Sequence, residues 1–295
     1  YTSQYTLSLH DALPISSAAL TQAVHLACRT EATLHVMPVG PATRETVETI
    51  LQSVDRPANS PPLQSCVAPA LSNPDTLVET LQAYTANTGM DLVVIDTPLD
   101  RGPIPPLATT RTQDLVNALD CSVFVVEHNA DPTSFQRILV PTDLSDPTLT
   151  TLRYATDLAA VYDAAVDLLH VIEAVPYIAL TPIDRLSLSS TSFPEHRARH
   201  RLSSLVQKSP LSPTAFQAHF EYGDPADQIG RFVNQHAVDL LVLSPKSTAS
   251  ASPSLGPVAD RVLRRVTCPV VLVRPSDASP GPGESMTSSL SGTSE

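Results

Sequence analysis

The chain has 295 residues, room for roughly two domains at about 150 residues each, and its 42% hydrophobic against 16% charged residues can build real cores under a weakly charged surface. Acidic residues outnumber basic ones 30 to 18, a net charge of −12, and that field repels phosphate backbones and anionic bilayers, which argues against nucleic-acid and membrane-surface partners. No segment approaches the roughly eighteen uninterrupted apolar residues of a bilayer span, and Cys28, Cys66, Cys121 and Cys268 form no Cys-x-x-Cys pair and lie in mostly apolar stretches, which predicts buried thiols in a reducing, cytoplasmic compartment.

The opening stretch has no Lys or Arg ahead of its apolar residues and no small-residue cleavage site, so it fails as a signal peptide. Tyr5-Thr6-Leu7-Ser8-Leu9-His10-Asp11-Ala12-Leu13-Pro14-Ile15 resembles instead the translation of a short-read sequencing adapter, and residues 1–16 are expected to be foreign to the fold. Beyond them the chain repeats itself. Glu31-Ala32-Thr33-Leu34-His35-Val36 aligns with Asp163-Ala164-Ala165-Val166-Asp167-Leu168, and Ala23, Leu26 and Ala27 align with Ala155, Leu158 and Ala159 in the same register. Met90-Asp91-Leu92-Val93-Val94-Ile95 then matches Val238-Asp239-Leu240-Leu241-Val242-Leu243, and Cys121-Ser122-Val123-Phe124-Val125-Val126 matches Cys268-Pro269-Val270-Val271-Leu272-Val273. The counterpart of Arg137-Ile138-Leu139-Val140 falls inside the adapter-like segment, so the first copy, 17–130, is expected to lack its opening strand, while the second, 135–275, is complete.

In the second copy, Ile138 to Val140 reads as a short buried strand, and Asp146-Pro147 as a helix start with a capping carboxylate followed by proline where no amide donor is needed. Leu149, Leu152, Ala155 and Ala159 recur at helical spacing up to Tyr162-Asp163, and Val166 to Ile172 is the next strand. A polar, Arg-rich helix is expected after Pro194. Phe216, Ala218 and Phe220 alternate with polar residues as in a half-exposed strand, and Asp224 caps a helix that buries Ile229, Phe232 and Val233. Leu240 to Leu243 is a strand, Val258, Val262 and Val266 mark a last helix with Arg261, Arg264 and Arg265 toward its C-terminal end, and Val270 to Val273 closes the unit. Residues 276–295, rich in Ser, Gly, Pro and Thr, cannot bury enough apolar surface to order and are expected to form a disordered tail. Alternating strands and helices imply α/β units with doubly wound parallel sheets, each with its ligand crevice at the carboxyl ends of the strands at the switch point, after Val140 and after Leu243.

Ile138-Leu139-Val140-Pro141-Thr142-Asp143-Leu144-Ser145, Leu168-Leu169-His170-Val171, Gly223-Asp224-Pro225, Asp239-Leu240-Leu241-Val242-Leu243 and Cys268-Pro269-Val270-Val271-Leu272-Val273, in that order, resemble the universal stress protein family. The resemblance implies two Rossmann-like domains in tandem forming a pseudo-dimer, and a stress-response or regulatory role. It also implies an ATP site made of an acidic residue after the first strand and a Gly-x-x-Gly loop, followed further on by Gly-Ser or Gly-Thr, after the fourth. Carried over residue by residue, the site candidates are Pro141, Asp143, Val171, Ser244, Ser247 and Gly256. The pattern is damaged: Ser244 and Ser247 stand where glycines belong, and Pro257 replaces the hydroxyl residue. A side chain forced into a glycine conformation costs about 1–2 kcal/mol, and a lost charged hydrogen bond roughly 1.5–3, so ATP binding is expected to be weakened on the order of a hundredfold, or absent. In the first copy the equivalent loop, Asp96-Thr97-Pro98-Leu99-Asp100, is acidic and would repel phosphate.

Catalytic chemistry has no visible carrier, and the chain reads as non-enzymatic. His196 and His200 share a helix spacing but sit among Arg197, Arg199 and Arg201, which oppose a metal. His170 reads as a structural histidine. Asp143 has two readings, a brace for the turn at Ser145 and Asp146 or a contact with nucleotide. Two function classes therefore stay open, a non-catalytic regulatory module or an ATP-binding protein with slow turnover in the second copy. Val123–Val126 and Val270–Val273 are the expected seam between the copies, because an apolar edge strand needs a partner; a homodimer of the whole chain stays open as well.

Overall fold

The computed structural model describes residues 4–9, 17–38, 43–57, 60–71, 74–96, 110–126, 134–173, 192–207, 212, 214–244 and 255–274. In chain order the first half contains β1 (Gln4–Leu9), α1 (Ser17–Thr30), β2 (Thr33–Pro38), α2 (Arg44–Ser53), β3 (Gln64–Val67), α3 (Leu77–Thr88), β4 (Leu92–Asp96), α4 (Thr110–Ala118) and β5 (Ser122–Val126). The second contains β6 (Arg137–Thr142), α5 (Pro147–Tyr162), β7 (Ala165–Ile172), α6 (Ser192–Gln207), β8 (Gln217–Tyr222), α7 (Pro225–Gln235), β9 (Leu240–Leu243), α8 (Pro257–Leu263) and β10 (Val270–Leu272). The ten described strands form one sheet in the order β3-β2-β1-β4-β5-β10-β9-β6-β7-β8, so the second half repeats the first in mirrored order. Pairing within each half is parallel, as crossover helices require. Among the described strands only β5 and β10 run antiparallel, with Val271 opposite Phe124.

Alternation along the strands sorts the core into two layers. Ile138, Val140, Leu240 and Val242 face α1, α2, α5 and α6, while Leu139, Leu241 and Leu243 face α3, α4, α7 and α8. Each layer draws buried residues from both halves. Burial of Ile229, Phe232 and Val233 fastens α7 to the sheet, each contributing about 1.5–3 kcal/mol.

The repeat extends to the backbone. Glu31 and Asp163, matched in sequence, both take left-handed φ values, 55 and 56, where the preceding helix ends, and so do Gly89 and Ala237, at 66 and 48. Amides just past the bends close each helix: Ala32 N and Ala164 N donate to Ala27 O and Ala159 O, and Met90 N and Val238 N to Thr85 O and Val233 O. The Asp of the repeated Asp-Leu strand start has a task as well, since Asp239 Oδ2 accepts from Gln136 N at 2.8 Å and Arg137 N at 2.9 Å, pinning the start of β6.

Where the sequence predicts a missing opening strand after a foreign segment, Gln4–Leu9 of that segment occupies the slot between β2 and β4, pairing Tyr5 with both Leu34 and Leu92. A strand slot is filled through main-chain hydrogen bonds, so a short extended segment of almost any origin can complete it. Asp146 gives no side-chain cap to α5; Thr148 and Leu149 amides instead bond the carbonyls of Ser145 and Asp146. α6 begins at Ser192, ahead of Pro194, which a helix tolerates in its first turn. Val258 is exposed, because α8 starts only at Pro257 and turns Ala259, Val262 and Leu263 inward. Cys66 is exposed on β3, while the other three thiols are buried. The expected tail, Ser247 and the first-copy loop 97–100 lie outside the described residues.

Candidate functional site

The switch point of the second half lies where β6 is flanked by β9 on one side and β7 on the other, so the crevice opens beyond Thr142 and Leu243. The chain leaves β6 through a tight, self-satisfied turn. Thr142 Oγ1 accepts from Leu144 N at 2.8 Å and pairs with Thr148 Oγ1 at 2.6 Å. Ser145 N donates to Asp143 Oδ1 at 2.9 Å. Leu144 is held at φ 60 with its side chain buried, a conformation that costs an L-residue about 1–2 kcal/mol. Burial of the leucine and the two side-chain brackets offset that strain.

Pro141 is half-buried at the end of β6, and Asp143 is exposed at the crevice mouth. Val171 is buried on β7, in the layer beneath α7 and α8. His170 Nδ1–H donates to Thr142 O at 2.9 Å, and its ring meets Phe220 edge-on at 6.1 Å, so it braces the turn. Arg199 lies 4.4 Å above the Phe220 ring and pairs with Glu195. His196 and His200 are exposed. Ser244 ends the described part of the β9 loop, and Gly256 re-enters as the cap of α8, with Pro257 at its first position.

The turn thus gathers Pro141, Asp143, Ser244 and Gly256 at one end of the sheet, while Val171 belongs to the core. Among the described residues, Gly256 and Pro257 do not form a phosphate cradle. Gly256 has φ −69 and ψ 157, a conformation open to any residue, so it forms no nest of converging amides. Pro257 has no amide to donate, and the Asp143 oxygen nearest the turn is taken by Ser145. Among the described residues no group of three or more His, Cys, Asp and Glu is placed to hold a metal.

Reading the sequence missed the polar contacts around this end. Arg261 pairs with Asp224 and Arg265 with Asp227, tying α8 to α7. The Arg261 guanidinium hydrogen-bonded to Asp224 holds that carboxyl below its ordinary value. Acids spaced i, i+3 on one helix and arginines spaced i, i+4 on another were the available signal. From the first half, Asn117 Oδ1 accepts from Leu255 N at 3.2 Å, just ahead of Gly256, and the Arg274 guanidinium donates to Val116 O. A second polar cluster sits under α7, where His219 Nε2–H donates to Asp167 Oδ1 at 2.8 Å and the His219 ring lies 4.9 Å from Phe232.

The fold has relatives among known proteins. Residues 134–274 match the model of the Universal stress protein family. A universal stress protein of Methanocaldococcus jannaschii is 27% identical over 141 residues, 48% of this chain and 82% of that protein. Universal stress protein G of Salmonella typhimurium is 27% identical over 145 residues, 48% of this chain and 99% of that protein. Among solved structures, a functionally unknown protein of Pseudomonas aeruginosa superposes with a TM-score of 0.70 at 17% identity, covering 92% of both chains. A universal stress protein of Archaeoglobus fulgidus gives 0.62 at 13% identity, covering 91% of this chain and 98% of that one. At those identities the structural likeness speaks to the fold, and it extends across both halves.

Proposed function

The chain belongs to the universal stress protein family through residues 134–274, and from that premise we propose that it is a non-catalytic regulatory module of the stress response, acting in the cytoplasm, with weak or absent ATP binding. The observation that carries this reading is the β6–α5 turn, where Thr142, Asp143 and His170 are engaged in holding the backbone of the turn itself. Nothing there forms an acid–base pair, and Gly256-Pro257 offers no amide nest. The two halves, dividing between about residues 130 and 135, act as an intrachain dimer docked through β5 and β10. Within residues 1–16, read as foreign to the fold, Gln4–Leu9 contributes main chain rather than chemistry.

Equilibrium dialysis of the full chain with ATP and Mg²⁺ tests the reading. Saturation no tighter than millimolar, with no phosphate release above buffer, is expected; micromolar saturation would overturn it. A second reading, nucleotide binding with slow turnover, is favoured by Leu144 alone. A buried leucine held at φ 60 beside Asp143 is the kind of strain that concentrates at ligand sites.

A further inference from the structure

We infer that the residues lying on the pseudo-twofold axis between the halves select pairing of the first unit with the second, and exclude pairing of either unit with its own kind in another copy of the chain. The inference deepens the intrachain-dimer reading by naming the residues that enforce it. On such an axis, equivalent positions of the two repeats touch each other. Three contacts do this. In the sheet, Val271 lies opposite Phe124, and these are matched positions of the repeat. On one face, Arg29 donates through its guanidinium to Val161 O at 3.2 Å, and the register that pairs Glu31 with Asp163 also pairs residue 29 with residue 161. On the other face, Gln113 donates to Asp260 Oδ1, and the register that pairs Cys121 with Cys268 also pairs residue 113 with residue 260. The buried pattern agrees, since Leu115, Val116 and Leu119 correspond to Val262, Leu263 and Val266.

At each polar contact the two repeats carry different, complementary groups. An amide meets a carboxylate at one; a guanidinium meets a carbonyl and lies 4.9 Å from the centre of the Tyr162 ring at the other. Pairing like with like removes that complementarity. Two second units would set Asp260 against Asp260, and two first units would set Arg29 against Arg29, with Thr30 in place of Tyr162. Like charges brought together at an interface are a common way of rejecting a wrong partner. Arg264 bonds Asp260 from within its own helix and blunts the acidic repulsion, so that veto is moderate in size. Neither veto touches the correct pairing, in which the unlike groups bond each other.

The forbidden contacts can be built inside the full chain. Gln113→Asp reproduces the second-with-second contact, and Val161→Arg reproduces the first-with-first contact. Each should lower the melting temperature by about 2–4 °C, the shift expected for roughly a fivefold change in the folding constant of a chain this size. Reversing the polarity with Gln113→Asp and Asp260→Gln together should recover the loss to within about a degree, because an amide again faces a carboxylate. Sedimentation velocity of the wild type should give a single species independent of concentration. If Gln113→Asp melts like the wild type, or the reversed pair fails to recover, axial complementarity is wrong. If the wild type builds concentration-dependent chains, the selection is wrong. None of these readouts involves nucleotide, so ATP binding can fail or succeed without touching the result.

Discussion

Removing the Asp167 carboxylate is the most informative single perturbation of the second half. The side chain is 4% exposed on β7, bonded to His219 at 2.8 Å, with the Arg137 guanidinium 3.5 Å from its second oxygen. That second oxygen has no hydrogen-bond partner, so Arg137 acts there as a nearby charge rather than a donor. Breaking a fully buried pair costs roughly 3–5 kcal/mol, chiefly because the surviving charge stays dry. His219 and Arg137 are 21% and 40% exposed, and both recover some water when the acid is gone. The expected cost of Asp167→Ala at pH 7 is therefore about 2–3 kcal/mol, below the range for a fully buried pair. Urea unfolding followed by fluorescence and by far-ultraviolet circular dichroism measures it, with coincident transitions as the check on cooperativity. A cycle with His219→Ala should return a coupling of about 1–2 kcal/mol. Coupling within about 0.5 kcal/mol of zero would refute the argument, since it would leave the pair energetically independent.

Two of the left-handed helix ends, at the matched positions 89 and 237, make opposite predictions. Ala237→Gly should stabilise the chain by about 0.5–1 kcal/mol, whereas Gly89→Ala should destabilise it by about 1–2, both read as shifts in the urea midpoint. Nothing lies within 4 Å of a Cβ at Gly89, so its penalty is purely one of backbone. Asp157 has a buried oxygen without a partner, and burial pushes its carboxyl above the ordinary value despite the opposing pull of Arg153. The folded state then holds its proton to higher pH than the unfolded one, so ionisation opposes folding above the ordinary carboxyl range. Asp157→Asn should raise the melting temperature at neutral pH, with the gain shrinking on acidification and absent below the unfolded value of 3.8; a pH-independent gain would count against it. Val271→Lys places an ammonium in the middle of the β5–β10 seam, where Val271 is 1% exposed. Several kcal/mol of destabilisation is expected, and both halves should melt in one transition, since they share both core layers.

Periodicity and repetition carried most of the architecture. The strand runs at Ile138, Leu168, Leu240 and Val270 and the Asp224-Pro225 helix start were legible because each is a local pattern whose partner is the same everywhere: a sheet slot or an apolar layer. Three features were decided only by the assembled chain. The slot between β2 and β4 accepts Gln4–Leu9 because neighbouring main chains dictate it, whatever the segment's side chains suggest. Leu144 takes a left-handed turn because Thr142, Thr148 and the core hold it there, against its own preference. Gln113 meets Asp260, and Arg29 meets Val161, because the antiparallel β5–β10 pairing brings together residues more than a hundred positions apart. Local propensity acts over a few residues, so it writes elements into the sequence. Complementarity across an axis exists only once two surfaces have been brought together.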